Sequence, residues 1–318
     1  MPRAWQRALA IWEDDSPAPA RRARAALDLL LAGVAGGAPD QRGHSSLTPT
    51  GSAFEPAFSL AAPGLRYTVD PAPPGLDRHA SLAHVLALLA RLGAPAPPPA
   101  FIDRIAPLQA DGALRYGAQV GGRHSALADN YKLYVEIPAE AQAQADAFGT
   151  ALLASAPLLT GPGRNARPTL AGIDLASGRQ ELYYRIDNLH PLEIGTLLSR
   201  AHNAARAPQV LAMLSATQAA PIRHALPGAA WGFSYAPEAN GGITFSLYTF
   251  ARTLFGPDGA IRAALLAMGV RHGWDLAVYE QLSRPLAGVR RMPCHHGVVG
   301  ITVPPEGPPA LWIGLAPP

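Results

Sequence analysis

Asn130-Tyr131-Lys132-Leu133-Tyr134-Val135-Glu136-Ile137-Pro138 decides how the rest of this 318-residue chain is read. Strand side chains alternate with period two, so Lys132, Tyr134 and Glu136 share one face while Leu133, Val135 and Ile137 share the other. Lys132 is the only lysine in the sequence; the remaining Lys/Arg charge is arginine. A charge, a phenol and a carboxylate in line face either bulk water or a wet interior whose apolar side is buried elsewhere.

Outward from this strand, the same alternation recurs. Short alternating runs pair at 54–60 with 65–70, 114–120 with 131–137, 169–175 with 179–186, 230–235 with 243–250, and 297–303 with 310–316. Turn residues join each pair, among them Ala61-Ala62-Pro63-Gly64, Gly121-Gly122, Ala176-Ser177-Gly178 and Asn240-Gly241-Gly242. Helical periodicity is found at 3–14, 19–35, 79–92, 139–155, 190–204, 207–217, 258–269 and 274–284. Gly36-Gly37-Ala38-Pro39 stops the second helix, and Gly93 with the prolines after it reads as a linker. Five strand pairs separated by helices make a repeat of element order, with no visible repeat of sequence.

Amphipathic helices must dock on something apolar, and the apolar strand faces supply it. Periodicity alone leaves two arrangements open. One is an open sheet with helices on one side and water on the other. The other is a closed ten-stranded antiparallel barrel with helices outside and a polar lumen, an α+β fold in a single domain spanning 1–318.

Composition bounds the function. A hydrophobic content of 48% is ample for a core, and the formal net charge of +3 with no dense basic run does not point to nucleic acid. The one cysteine, Cys294, excludes an intrachain disulfide framework and a multi-cysteine zinc site. No signal-peptide core and no stretch of membrane-spanning length is present, which predicts a cytoplasmic protein without membrane attachment, as monomer or homodimer. There is no Walker loop, nucleophile elbow or dinucleotide fingerprint.

Several residues together resemble a known family. Leu47-Thr48-Pro49-Thr50-Gly51 leads to Glu55, and Arg66 follows eleven positions later. The second pair carries Lys132-x-Tyr134, the third Arg179-x-x-x-Tyr183, and the fourth ends in Tyr248. Each motif alone is weak; their order and spacing over alternate hairpins resemble the ABBA (PT-barrel) aromatic prenyltransferases, and within them the dimethylallyltryptophan synthase branch. The resemblance implies five αββα units around the barrel. It also implies a metal-independent enzyme of secondary metabolism that moves a dimethylallyl or longer prenyl group from its diphosphate to an indole-containing acceptor. A phenolic or peptide side-chain acceptor, and a non-catalytic isoprenoid-diphosphate binding protein, remain as alternatives.

Departures stand at Glu181, where the family usually has lysine, at Gly314, where many members have tyrosine, and at Gln119, where some have a second lysine. In this reading Arg66, Lys132 and Arg179 bind the diphosphate, since arginine and lysine suit phosphate oxygens. One misplaced charge at roughly 5 Å and an effective dielectric near 20 is worth about 3 kcal/mol, so Glu181 needs an offset. Arg185, on the same face, is expected to pair with it, and Arg115, sharing a strand face with Gln119, to replace the lost cation. Tyr134, Tyr183 and Tyr248 shield the allylic cation, and Glu55 holds an indole N–H or accepts the departing proton. Trp231 and Phe233 either line the acceptor pocket or pack in the core, and Gln119 is assigned to that pocket. No cofactor is implied and magnesium is not required. Glu13-Asp14-Asp15 lacks the second aspartate pair of metal-dependent prenyl synthases, and the adjacent His295 and His296 point opposite ways along a strand.

Overall fold

The computed structural model describes residues 4–34, 45–59, 64–110, 112–153, 166–217, 222, 225–291 and 294–318. Its strands are β1 (Phe54–Ser59), β2 (Leu65–Val69), β3 (Ala118–His124), β4 (Asp129–Glu136), β5 (Arg167–Asp174), β6 (Gln180–Asp187), β7 (Ala230–Pro237), β8 (Ile243–Phe250), β9 (His296–Val303) and β10 (Ala310–Leu315). Each pairs antiparallel with its neighbours in sequence, and β1 pairs with β10, so the sheet closes into a ten-stranded barrel with no free edge. The open-sheet alternative is thereby excluded.

The helices are α1 (Ala4–Asp15), α2 (Pro17–Leu30), α3 (Ser81–Arg91), α4 (Pro99–Gln109), α5 (Gln142–Leu153), α6 (Glu193–Ser199), α7 (Ala207–Ser215), α8 (Ala251–Phe255), α9 (Asp258–His272) and α10 (Ala277–Ser283). They cover one face of the sheet. Trp12 of α1 stacks on Phe58 of β1 at 5.4 Å, and Phe58 meets Tyr279 of α10 edge-on at 5.4 Å. Tyr235 of β7 donates to the Leu197 carbonyl of α6 at 2.7 Å. Leu133, Val135, Ile173 and Leu182 are fully buried on this face, each such side chain contributing about 1.5–3 kcal/mol. Two Tyr–His–Asp chains, each through a buried histidine, anchor it further: Tyr67–His124–Asp129, continued to Arg22 of α2, and Tyr279–His296–Asp258. The alternate residues, including Lys132 and Tyr134, face the barrel interior. Among the described residues, no helix is long and apolar enough to cross a membrane.

Three expectations need correction. The stretch read as a Pro-rich linker contains α4, which starts with Pro99, a position where the missing N–H costs nothing. The run read as helix over 190–204 keeps only α6 as α-helix. Most consequentially, Gly121-Gly122 is not a turn but the middle of β3. A β-carbon on Gly121 would stand 2.9 Å from the Tyr134 ring, and one on Gly122 2.3 Å from the Tyr67 ring, so glycine is there for close approach. The turn lies beyond, where Ser125 N–H donates to Ala128 at 3.0 Å. The expected stop at 36–39 and turn residues 61–63 fall outside the described residues.

This shift moves Arg115 off the strand. It lies exposed ahead of β3, and its N–H, with those of Tyr116 and Gly117, donates to the buried Glu136 carboxylate at 2.8–3.1 Å. Glu136 thus organises the entry into β3.

Candidate active site

Antiparallel connectivity puts the β3–β4, β5–β6, β7–β8 and β9–β10 turns at one end of the barrel. Lys132 lies near that end on β4. Its ammonium is held by the Glu181 carboxylate of β6 and donates to the Tyr183 hydroxyl at 2.9 Å. Ser234 of β7 donates to the other Glu181 oxygen at 2.5 Å. Burial pulls the Lys132 pKa down, but Glu181 and Tyr134 outweigh it and hold the ammonium above the usual lysine value. Burial likewise raises the Glu181 carboxyl, and Lys132 with the Ser234 hydroxyl more than reverses that. Both groups are charged. The offset for Glu181 is therefore Lys132 and not the expected Arg185, which points to Asp187 at 3.4 Å instead.

Beside this pair runs a row of rings on every second strand. Tyr134 of β4 and Tyr183 of β6 are 6.0 Å apart, Tyr183 and Tyr248 of β8 are 6.3 Å apart, and Tyr248 and Trp312 of β10 are 6.3 Å apart. Residues two strands apart are separated by roughly 9–10 Å of backbone, so these rings meet only by leaning over the strand between them. Glycine on the intervening strands permits it. A β-carbon at Gly172 would stand 3.2 Å from Tyr183, at Gly232 2.1 Å from Tyr248, and at Gly300 2.5 Å from Trp312. The Lys132 ammonium lies 5.2 Å from the Tyr134 ring centroid and 5.3 Å from that of Tyr183, so the row already stabilises one cation. Burial pushes the Tyr183 and Tyr248 hydroxyls well above the ordinary phenol value, keeping them neutral donors. Trp312 was missed at the sequence level. The signal for it is parity: Ala310, Trp312 and Gly314 share a face, so an aromatic two residues before Gly314 reaches the same interior.

Glu55 reaches the same interior from β1. The ladder runs Glu55–Thr68–Gly121–Lys132 across four strands, about 14 Å around the wall. Its side chain occupies the space beside Gly297 and Gly314, where added β-carbons would come within 1.9 and 2.4 Å of the carboxyl group. One carboxyl oxygen is buried without a hydrogen-bond partner, and burial with no compensating charge pushes the acid up to about 8. Gln119, buried beside Tyr134 in register, lies on the same face.

The remaining predicted residues divide. Arg66 is on the inner face of β2, with its Nε buried and unpartnered. Burial, and then the charge of Arg123, lower it to about 10. Arg179, in the β5–β6 turn, is paired with Glu238, which also accepts from Thr244 at 2.6 Å. Trp231 and Phe233 are on the outer face of β7 and not in an acceptor pocket. Trp231 donates to the Pro227 carbonyl at 3.2 Å, and Phe233 stacks on Tyr184 at 5.0 Å, both within the core under the helices. Odd-numbered residues of β7 take the outer face because its register with β8 sets Gly232 beside Tyr248. His296 is committed to Asp258 and Tyr279, and among the described residues no three His, Cys, Asp or Glu side chains gather as metal ligands.

No protein-family model and no curated protein sequence matches the chain. Solved structures do. The 5-dimethylallyltryptophan synthase from Streptomyces coelicolor superposes with TM-score 0.72 at 18% identity, over 95% of this chain and 92% of that one. The 6-dimethylallyltryptophan synthase from Micromonospora olivasterospora, in complex with DMASPP and Trp, gives 0.71 at 18% identity, over 98% and 97%. The prenyltransferase PriB, in a ternary complex with L-tryptophan and dimethylallyl thiolodiphosphate, gives 0.73 at 16% identity, over 97% and 94%. The chain thus has the closed PT-barrel fold of the dimethylallyltryptophan synthases.

Proposed function

We propose that this protein is an aromatic prenyltransferase that moves a dimethylallyl group from its diphosphate to an indole-containing acceptor. The observation that carries the reading is the continuous row Tyr134–Tyr183–Tyr248–Trp312, leaning over interior glycines beside Lys132 with successive rings inclined by 46–63°. Four aromatic rings gathered in one interior are an environment for a carbocation, which a merely structural barrel does not need.

The allylic C–O bond breaks and diphosphate leaves with the electron pair, drawn by the basic side chains of the barrel. The ring faces stabilise the dimethylallyl cation and keep water from it. An acceptor ring carbon supplies the electrons of the new C–C bond, and that carbon's proton is lost to restore aromaticity. Glu55, with an unpartnered oxygen, holds the indole N–H or takes this proton in its carboxylate form. The cations and Glu55 act without a metal in this reading, and magnesium is dispensable.

Incubation of the full chain with dimethylallyl diphosphate, EDTA and a panel of indoles, including tryptophan and cyclic dipeptides, tests it. A prenylated indole is the expected product. Product only with phenols or peptides moves the acceptor class, and product only after magnesium is added overturns metal independence. A second reading, a non-catalytic diphosphate carrier, is favoured by one observation: Glu181 already occupies Lys132. Tight binding of dimethylallyl thiolodiphosphate, with no turnover of the diphosphate on any acceptor, would establish it.

A further inference from the structure

Four cations gather toward the turn end of the barrel interior, on β2, β3, β4 and the β5–β6 turn, and they are not equivalent. Lys132 is closed by Glu181, which Ser234 holds in place, and Arg179 is closed by Glu238. An incoming anion at either cation competes with a built-in carboxylate. Arg66 and Arg123 differ. They stand directly opposite each other in the β2–β3 register, on the inner face that also carries Thr68 and Gly121. Like charges in directly opposed positions on adjacent strands repel, and among the described residues the carboxylates nearby are taken by Lys132 and Arg179, with neither Arg66 nor Arg123 in an ion pair. The Arg66 Nε is buried and lacks an acceptor, while Arg123 is exposed at the end of the barrel. Two unneutralised guanidiniums, one inside and one at the mouth, present forked donors to an anion that bridges them. Arg66 and Tyr134 stand on the inner faces of β2 and β4, with β3 between them.

We propose that the Arg66–Arg123 pair is the primary anchor for the diphosphate of the donor, and that Arg123 is a binding residue of this site. The inference rests on the prenyl-transfer reading for the identity of the ligand. It assigns to Arg123 the compensating charge that Arg115, lying off the strand, does not supply. A bridging diphosphate relieves the repulsion between the two guanidiniums and leaves the Lys132–Glu181 pair intact. The leaving group then departs toward β2 and β3, on the side of the ring row formed by Tyr134.

The test is calorimetric titration of the full chain with inorganic pyrophosphate and with dimethylallyl thiolodiphosphate, comparing wild type, Arg123→Gln, Arg123→Lys and the remote surface variant Arg91→Gln. Loss of one charge-assisted contact is expected to weaken both ligands about tenfold or more in Arg123→Gln. Arg123→Lys is expected to recover part of that loss, and Arg91→Gln to bind as wild type. Unchanged affinity in Arg123→Gln overturns the anchor while leaving prenyl transfer standing. An equal loss in Arg91→Gln reduces the effect to net charge and overturns it as well. Failure of the wild type to bind either ligand removes the anchor and the diphosphate-dependent function together. Circular dichroism of each variant separates lost affinity from lost fold.

Discussion

Glu55 fills the space beside Gly314: a β-carbon on that glycine would stand 2.4 Å from the Glu55 carboxyl carbon. The atoms that clash belong to the end of a flexible side chain and not to backbone. Gly314→Ala is therefore expected to fold with little change in melting temperature while driving the carboxyl group out of position. Turnover on the acceptor should fall about tenfold, within the usual range for general acid–base groups. Steady-state kinetics beside a thermal melt check this; equal losses in stability and activity would mean the glycine serves the fold alone.

The same burial makes Glu55 a pH-sensitive group. With its acid pushed to about 8, the carboxylate dominates the free protein only above that pH. Since kcat/KM reports the free enzyme, it is expected to rise about tenfold per pH unit below about 8 and then level off. A flat profile across this range would exclude Glu55 as the base. Stability runs the other way. The folded-state value lies above the ordinary 4.5, so the stabilisation carried by the protonated form is complete below that pH and is lost as pH rises through about 8. Glu55→Gln should therefore gain on wild type in urea melts as pH climbs over the same window.

Trp312 closes the aromatic row at its β10 end, 6.3 Å from Tyr248. A ring face is worth about 0.5–2 kcal/mol to a cation, so Trp312→Leu should lower kcat about 2- to 30-fold with little change in affinity for dimethylallyl thiolodiphosphate. Trp312→Tyr should keep most of the rate. Pre-steady-state rates with the diphosphate donor decide between a shield and simple wall packing, for which leucine would serve.

Lys132 and Glu181 form a charged pair of low exposure, with side chains 18% and 12% accessible. Removing one partner leaves the other uncompensated, at a typical cost of about 3–5 kcal/mol, whereas removing both is far milder. Lys132→Met should thus be strongly destabilised in urea denaturation, and Lys132→Met/Glu181→Gln should recover most of the loss. Glu181→Gln alone frees the ammonium and should tighten pyrophosphate binding. No recovery in the double variant would show that Lys132 acts through packing and not through this pair.

Much of the fold was legible because it is local. Period-two alternation around Lys132, repeated at Glu181–Tyr183–Arg185 and Thr244–Ser246–Tyr248, is read from adjacent residues, and it assigns these side chains to common faces. Five strand pairs interleaved with amphipathic helices then leave few ways to bury the apolar faces, and closure into a barrel is one of them. The glutamate, the lysine and three of the four aligned rings follow from that alternation together with the family spacing.

Register and contact across strands had to wait for the tertiary structure, because parity says which residues share a face but not where a strand begins or what lies beside it. Gly121-Gly122 is turn chemistry by composition, yet the rings of Tyr134 and Tyr67 require those glycines in mid-strand, and this long-range packing displaces Arg115 and brings Arg123 opposite Arg66. Trp231 and Phe233 share alternation with nothing that marks their side as outer; only the helices docked on it do. Nor does local pattern show that Glu181, a misplaced charge against a diphosphate, has Lys132 across the barrel wall as its partner. Backbone periodicity is written in neighbours along the chain, whereas charge pairing and ring contact depend on strands brought together by closure.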